Sequence, residues 1–393
     1  MLALDRVECK ASRQLRAPYA RPVAPRPRPC ASAPALLLAA LLASACAAGA
    51  PTPSAPTPSA PTSSGAARPP GTATSPDATP TATATGPAVT LAFAGDVHFE
   101  GGSRAALGDG LAAVAPLLSG ADLAMVNLET SVTTRGTPSG GKQYVFRAPP
   151  SAFTALRRAG VDVVTMANNH GLDYGQVGLA DSLAASRAAG LPVVGAGRDE
   201  KEAFRAQVTT VHGVRVAFVG ATQVLDDNLA ATWTAGPDTP GLASAKDEPR
   251  LLEAVRNARA RADVVVVDLH WGTELARCPT AAQRGLAPLL VAAGADVVVG
   301  SHAHVLLGGG WLHGAYVDYG LGNFVFYART PQTEQSGVLL LTVRGRRVTA
   351  ARWAPARIRY GLPRPLTGAA ARVGLAVKDD LRGCTGLTAT PPG

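Results

Sequence analysis

The chain contains few cysteines and few aromatic residues, and both shortages limit the classes of protein to which it can belong. Only five of its 393 residues are cysteine and no CxxC pair occurs, so a disulfide scaffold is excluded and a zinc ribbon is not indicated. Aromatic residues make up 5% of the chain, whereas hydrophobic residues as a whole reach 47%. Most of the sequence is therefore expected to fold, and its length allows one large domain or two smaller ones.

The net charge of +9 is not accompanied by the basic stripe that binds nucleic acid. Residues 1–46 hold seven Lys and Arg against two acidic residues, which gives +5 and leaves only +4 for the other 347 residues. Nucleic-acid-binding domains concentrate basic residues on one face. We therefore expect no nucleic-acid partner.

The first 46 residues read as an export signal. Their apolar run, residues 35–43, is too short to cross a bilayer, which needs about 20 apolar residues. A basic segment, a short apolar run and small residues are typical of a secretory signal. Cys46 follows Ser44 and Ala45 and resembles the lipidated cysteine of a bacterial lipobox. We expect an extracytoplasmic lipoprotein anchored to the cell membrane, with an ordinary cleaved signal peptide as the alternative.

Residues 47–88 form a linker by composition. They contain ten prolines and no aromatic residue, Leu, Ile, Val or Met. Such a segment cannot bury apolar surface and is expected to stay extended, which would hold a folded domain away from a membrane. Because export leads to an oxidising compartment, we also expect Cys278 and Cys384 to form a disulfide.

Val-rich runs alternate with helix-period stretches from residue 89 onward, which predicts an α/β fold with buried strands. The two runs that flank residues 344–347 near the end read as a hairpin, so the sheets are expected to be mixed. The predicted strands are residues 89–94, 123–128, 161–167, 193–197, 214–221, 264–269, 297–300 and 316–319, and the predicted helices are residues 104–118, 176–189, 247–261 and 281–293.

Polar side chains cluster where the predicted strands end. In open α/β sheets, sites lie beyond the carboxyl ends of the strands. Four of the seven histidines of the chain follow three of these strands, and His170 follows a fourth. The residues delivered there are Asp96, His98, Asn127, Glu129, Asn168, Asn169, His170, His270, His302 and His304.

The spacing of these residues predicts a metal site. Residues i and i+2 of an extended segment point the same way, so Asp96 and His98 are expected to face one ion, as are His302 and His304. Imidazole nitrogens and carboxylate oxygens without thiolates suit Zn, Mn or Fe better than Ca. Taken singly, each histidine is more often a surface or hydrogen-bonded residue than a metal ligand, and Asp96 is also consistent with a turn or helix cap.

Other catalytic motifs are missing from the sequence. GxSxG, HExxH, SxxK and Walker A patterns do not occur, and Gly195-Ala196-Gly197 lacks the third glycine of a dinucleotide fingerprint. Lys142 and Arg147 lie in a Gly-rich loop, where they either bind an anion or simply face solvent.

The order of these motifs resembles that of the calcineurin-like metallophosphoesterases. Their amino-acid sequences resemble those of the CapA branch, which is named for poly-γ-glutamate capsule synthesis. The resemblance covers residues 89–357. It implies a metallophosphatase-type four-layer sandwich of two mixed sheets flanked by helices, on which residues 358–393 pack as a tail. The segments that carry it are GDV, VNLET, KQYVFRAPP, MANNHGLDYG, HWGTE, GADVVVGSHAHV and YGLGNFVF.

The resemblance also implies a site with two divalent metal ions. The first ion would be held by Asp96, His98 and His304, and the second by Asn169, His270 and His302. Metallophosphoesterases bridge the two ions with an Asp of a GD motif. This chain has no such Asp, and Glu129 is the nearest candidate.

For the remaining residues, the resemblance implies roles in catalysis and in substrate binding. His170 would give a proton to the leaving oxygen, and Lys142 and Arg147 would clamp an anionic substrate. The implied function is metal-dependent hydrolysis in the synthesis or export of poly-γ-glutamate, together with membrane proteins of a synthesis complex. The alternatives are a non-catalytic polymer-binding component of such a complex and a general cell-surface phosphodiesterase.

Overall fold

The computed structural model describes residues 86–392. The predicted signal segment, Cys46 and nearly all of the predicted linker lie outside these residues. Within them, no helix is both long and apolar enough to cross a membrane.

Eighteen strands, eight α-helices and two 3₁₀ helices make up this part of the chain. The strands are β1 (Ala88–Val97), β2 (Leu123–Leu128), β3 (Ser131–Val132), β4 (Arg147–Ala148), β5 (Val163–Thr165), β6 (Val193–Val194), β7 (Ala196–Gly197), β8 (Gln207–Val211), β9 (Val214–Thr222), β10 (Gly241–Leu242), β11 (Val264–His270), β12 (Val297–Ser301), β13 (Gly309–Leu312), β14 (Ala315–Asp318), β15 (Asn323–Val325), β16 (Gln335–Arg344), β17 (Arg347–Arg359) and β18 (Leu362–Pro365). The α-helices are α1 (Ala115–Leu118), α2 (Ser151–Arg158), α3 (Gly175–Ala189), α4 (Glu200–Ala203), α5 (Asp227–Trp233), α6 (Glu248–Arg259), α7 (Ala281–Ala293) and α8 (Gly368–Asp380), and the 3₁₀ helices are Gly101–Leu107 and Leu381–Cys384.

Two mixed sheets organise the fold. Sheet 1 has the order β18-β17-β16-β1-β2-β5-β6, with β15 also paired to β1, and sheet 2 has the order β13-β14-β12-β11-β9-β8. In sheet 1, β1, β2, β5 and β6 run parallel and the β16–β18 strands run antiparallel. In sheet 2, β9, β11, β12 and β14 run parallel, and the edge strands β8 and β13 run antiparallel. The expectation of mixed sheets is confirmed.

The alternation of side chains along β1 shows how the layers stack. Leu91 and Phe93 join a core shared with sheet 2, whereas Ala92 and Ala94 join a core shared with α2 and α3. On the far side, sheet 2 packs against α6 and α7. The result is the predicted four-layer sandwich, with the carboxyl ends of the parallel strands free to carry a site.

Two helix predictions need correction. The single helix expected over residues 104–118 is instead the 3₁₀ helix and the short α1, because Gly108 and Gly110 interrupt the segment. Helix α2 was not predicted. The sequence did carry signals for its bounds, because Pro149 and Pro150 precede its start and Gly160 follows its end.

The C-terminal residues extend sheet 1. The predicted boundary at residue 357 falls inside β17, β18 pairs with β17, and α8 packs on β17. The Lys378 ammonium fastens α8 to the domain, since it donates to Asp318 Oδ1 at 2.9 Å and to the Leu307 carbonyl at 2.6 Å.

A disulfide joins Cys278 to Cys384, with the two Cα atoms 5.7 Å apart and 106 residues apart in sequence. Closing a loop of that length restricts the unfolded chain, and losing such a bond typically lowers the free energy of unfolding by about 2–5 kcal/mol. We expect the Cys278→Ser/Cys384→Ser double variant to lose stability in that range, measured by denaturant unfolding without reductant. Equal unfolding midpoints for the variant and the oxidised parent would contradict this expectation.

Candidate metal centre

The carboxyl ends of β1, β2, β5, β11 and β12 meet at one edge of the sandwich and bring the predicted polar residues together. Asp96 ends β1 beside Asn127 of β2, and His270 ends β11 beside Ser301 of β12. Gly95 makes the approach possible, because a Cβ there would lie 1.7 Å from the Gly322 carbonyl oxygen. The strand ends therefore position the side chains, as the sequence predicted.

Glu129 lies at the centre of this cluster. It is fully buried, and neither carboxylate oxygen has a hydrogen-bond partner among residues 86–392. Its Oε1 is surrounded by three imidazole Nε2 atoms, of His270 at 3.7 Å, His170 at 3.8 Å and His304 at 3.9 Å. These distances are too long for hydrogen bonds. An uncompensated buried carboxylate is costly, so the arrangement fits a bound cation between the oxygen and the rings.

Two groups of possible ligands converge at this edge. Asp96, Glu129 and His270 form one group, and Glu274, His302 and His304 form the other, with the ligand atoms of each group within 4.8 Å of one another. Such a set of carboxylate oxygens and imidazole nitrogens suits divalent transition metals. The grouping differs from the predicted partition, which had placed Asp96 with His304 and His270 with His302, although His304 Nδ1 does lie 3.2 Å from Asp96 Oδ2.

Neighbouring polar groups fix the ligands in place. Asn127 Nδ2 donates to Asp96 Oδ1 at 2.8 Å and lies 3.1 Å from His270 Nδ1, and Ser301 Oγ lies 3.0 Å from the same nitrogen. Both contacts are made to Nδ1, which leaves Nε2 of His270 facing Asn169 and Glu129. Groups that orient a ligand in this way tune its binding. Asn127 was seen in the sequence but was not assigned a role.

The predicted ligands Asn169 and His98 differ in their placement. Asn169 Oδ1 accepts a hydrogen bond from His270 Nε2 at 2.8 Å, so it lies at the ligand cluster. His98 packs among three aromatic rings, with centroid distances of 4.7 Å to Phe146, 3.9 Å to Phe326 and 4.9 Å to Tyr327. His98 belongs to neither converging group in the described part of the chain.

The backbone of the two neighbouring histidines departs from the expected extended form. His302 has φ of 92° and His304 has φ of 56°, a region that non-glycine residues rarely adopt. The two rings lie 6.0 Å apart. The prediction that they face the same site was based on an extended backbone, and that backbone conformation was wrong. Strained residues of this kind concentrate at functional sites.

Burial sets the protonation of most of these rings. Burial, followed by the charge of His304, lowers the pKa of His98 to about 3 and that of His302 to about 4. Burial lowers the pKa of His270 as well. These three rings are neutral near neutral pH, which is the form that binds a metal. Burial and the charge of Asp96 raise the pKa of Glu129.

His304 is the exception. Burial opposes its charge, but the Glu129 and Asp96 carboxylates outweigh burial and raise its pKa to about 9. A metal ion must therefore displace a proton from His304 at neutral pH. We expect the apparent affinity for Zn²⁺ or Mn²⁺ to rise by up to about tenfold per pH unit from neutral pH toward pH 9. Calorimetric titrations in buffers of different ionisation enthalpy measure the proton released, and an affinity that does not change with pH would contradict the assignment.

His170 belongs to a second chain of polar contacts. Its Nδ1 lies 2.6 Å from Asp173 Oδ2, and Asp173 also accepts from the Lys142 ammonium and from the Phe146 N–H. Its Nε2 points toward Glu129. Asp173 was not identified from the sequence, although it lies three residues after His170, a spacing that brings side chains together in a turn.

The structure corrects the predicted roles of Lys142 and Arg147. The Lys142 side chain is 4% exposed, and its ammonium is bound by Asp173 and the Asn169 carbonyl. The Arg147 guanidinium stacks 3.6 Å from the Tyr174 ring centroid and donates to the carbonyls of residues 135 and 136. Both cations are thus bound by groups of the protein itself, so they do not form a free site for an anionic substrate.

A cleft of about 270 Å³ opens beside the cluster, and we call it the metal cleft. His170 and His304 lie at its inner end, and Glu274 and Arg329 border it. Its aromatic walls come from Tyr144, Phe146, Phe326 and Tyr327. A substrate in this cleft would contact both the imidazole Nε2 atoms and an apolar surface.

Comparisons with known proteins find a family and relatives that are named for bacterial capsule synthesis. The family model described as bacterial capsule synthesis protein PGA_cap matches residues 90–328. A capsule biosynthesis protein CapA of Bacillus anthracis is 34% identical over 263 residues, which are 65% of this chain and 63% of that protein. A PGA biosynthesis protein CapA of Bacillus subtilis is 33% identical over 228 residues, which are 58% of this chain and 59% of that protein. The chain therefore spans about three fifths of the length of these curated relatives.

Solved structures give more distant matches. A hypothetical protein from Thermus thermophilus has a TM-score of 0.44 and 21% identity, and the match covers 69% of this chain and all of that one. A phosphatase from Mycoplasma pneumoniae has a TM-score of 0.43 and 14% identity, and the match covers 70% of this chain and 95% of that one.

Proposed function

Because the chain belongs to the PGA_cap family of bacterial capsule synthesis proteins, whose model matches residues 90–328, we propose that it is a metal-dependent hydrolase in the synthesis or export of a γ-glutamyl polymer. The observation that carries the proposal is the buried Glu129 carboxylate, which lacks a hydrogen-bond partner in the described chain and faces three imidazole nitrogens. The names of the two Bacillus relatives support the link to capsule or PGA biosynthesis.

Residues at the carboxyl ends of the strands would hold two divalent ions, Mn, Zn or Fe. Asp96, Glu129 and His270 would hold one ion, and Glu274, His302 and His304 the other. Such ions, when bound, supply Lewis-acid activation of water and of a phosphoryl or acyl oxygen. Asn169, at 2.8 Å from His270, lies close enough to join the first set.

His170 then acts as the proton donor to the leaving oxygen. Asp173, at 2.6 Å from Nδ1, orients the ring and stabilises its protonated form, while Nε2 faces the substrate side of the cluster. Burial lowers the pKa of His170, and the hydrogen bond to Asp173 opposes that change. Aromatic side chains line the metal cleft beside the reacting groups.

Metal-dependent turnover tests the proposal. The purified full chain is stripped with a chelator and assayed on a generic phosphodiester and on poly-γ-glutamate, before and after Mn²⁺ or Zn²⁺ is restored. We expect hydrolysis of at least one substrate only with metal. Tight metal binding without turnover of either substrate would instead support a non-catalytic component, as the name of a Mycobacterium tuberculosis relative suggests, "Probable polyglutamine synthesis accessory protein". Turnover of the phosphodiester alone would favour a general cell-surface phosphodiesterase.

We also propose that the protein acts outside the cytoplasm, held to the cell membrane by a lipid on Cys46 and close to membrane proteins of a synthesis complex. The signal-like residues 1–46 and the Pro-rich linker support this placement. Cys46→Ser removes the acylated thiol, so we expect the variant to leave the membrane fraction. Unchanged fractionation of the variant would contradict the lipid anchor.

A further inference from the structure

Arginine is concentrated in the C-terminal part of sheet 1 and in α8. Residues 337–377 contain eight Arg and neither Asp nor Glu. The low net charge of the whole domain conceals this asymmetry, because acidic residues elsewhere balance it. The segment forms most of β16, all of β17 and β18, and the greater part of α8, and three of its arginines line one groove.

A groove of about 520 Å³ lies between β17, β18 and α8, and we call it the arginine groove. Its floor and walls are largely apolar, with Trp353, Pro355 and Leu366 among them. Three arginines line it, Arg357, Arg359 and Arg364. Glu334 pairs with Arg359 at 2.6 Å and with Arg357 at 3.9 Å, and Arg364 has no acidic partner among residues 86–392. The groove therefore keeps an excess of positive charge.

Part of the apolar surface of α8 is left exposed beside this groove. Among the residues of α8, all of which the structure describes, only Lys378 is buried. Val373, which lines the groove, is 64% exposed. An amphipathic helix normally buries its apolar residues. Here the Lys378 contacts with Asp318 and Leu307 hold the helix, so its apolar residues remain available to a ligand.

The arginine groove adjoins the metal cleft through two chain segments. His304 borders the cleft and Leu306, two residues on, borders the groove. In the same way Thr333 borders the cleft, and Gln335 borders the groove. At both places the two cavities are therefore separated by a segment of only two residues.

We propose that the arginine groove binds an extended polycarboxylate chain with an aliphatic backbone and presents it to the metal cleft. Guanidinium groups bind carboxylates through two parallel hydrogen bonds, and the apolar floor suits methylene groups between the charges. A γ-glutamyl polymer has this chemistry, so the inference rests on the proposed function for its ligand. It assigns a second binding site, distinct from the residues that would hold metal.

Charge reversal in the arginine groove tests the inference. The full-length Arg359→Glu/Arg364→Glu variant is compared with Arg256→Glu/Arg261→Glu, which changes the net charge equally at and beyond the end of α6, on exposed residues outside the groove. The probe is fluorescently labelled poly-γ-glutamate, followed by fluorescence anisotropy at several salt concentrations. We expect the groove variant to bind at least about tenfold more weakly, and the control to bind as the parent does. The neutral Arg359→Gln/Arg364→Gln pair gives an intermediate loss if the charge-reversed protein folds poorly.

Equal polymer affinity in the groove and control variants would overturn the inference. So would a groove variant that keeps polymer binding but loses binding to phosphatidylglycerol vesicles, since the groove would then face a membrane. If the parent binds polymer through the groove but hydrolyses nothing, the proposed hydrolase activity fails and the groove assignment stands.

Discussion

Replacing Glu129 by Gln should abolish binding of the ion assigned to Asp96, Glu129 and His270, and with it metal-dependent hydrolysis. The substitution keeps the volume of the side chain but removes the buried negative charge that lies 3.7–3.9 Å from three imidazole nitrogens. Loss of a group that merely orients a ligand weakens metal binding by about 10–100-fold. Glu129 is proposed as a direct ligand, so we expect a loss above that range, measured by calorimetry and by elemental analysis of the purified protein.

The same Glu129→Gln substitution should also change the thermal stability of the protein. Glu129 has no hydrogen-bond partner in the described chain, and burial raises its pKa, so its ionised form destabilises the metal-free protein. Metal-free Glu129→Gln should unfold at an equal or higher temperature than the metal-free parent, and its unfolding temperature should rise less than the parent's when metal is added. Asp268→Asn is a matched control, because Asp268 is also buried with a partnerless Oδ1 but belongs to neither ligand group. Full metal binding by Glu129→Gln would contradict the assignment.

Replacing His170 by Ala should slow turnover by roughly 10²–10⁴-fold, the range of general acid catalysis, and leave the metal in place. The structural reason is that His170 Nδ1 is bound to Asp173 while Nε2 faces the cluster from the substrate side. The loss should be smaller for substrates with good leaving groups, which need little protonation. Rates on a good and a poor leaving group, together with metal analysis, measure both effects.

The alternative role of His170 is that of a metal ligand. Its Nε2 lies as close to Glu129 as the ring nitrogens of His270 and His304 do, so distance alone does not separate the two roles. Metal loss in His170→Ala equal to that in His304→Ala would make it a ligand. Asp173→Asn should retain metal and reduce turnover less than His170→Ala, because it only weakens the orientation of the ring.

The sequence predicted the fold well because the fold depends on regular patterns. Val-rich runs such as residues 264–269 are buried on both faces, and the structure places them as parallel strands inside the sandwich. The polar residues at the ends of these strands meet for the same reason. The family inferred from short motif segments, such as GSHAHV, is confirmed by the match over residues 90–328.

The finer details of the site depend on loops, and the sequence did not predict them. The positive φ angles of His302 and His304, not an extended strand, bring their rings into the site. Lys142 lies in a loop whose fold buries its ammonium against Asp173, a contact between residues 31 positions apart. Patterns of spacing describe regular elements, so they could not show which loop cations are already paired.

Anomalous X-ray scattering from crystals soaked in Mn²⁺ or Zn²⁺ tests the metal centre most directly. The account predicts a strong peak within about 2.0–2.2 Å of a Glu129 carboxylate oxygen, in contact with His270, and a second peak next to His302 and His304. A fully soaked crystal with no anomalous peak in contact with Glu129 would contradict the central claim.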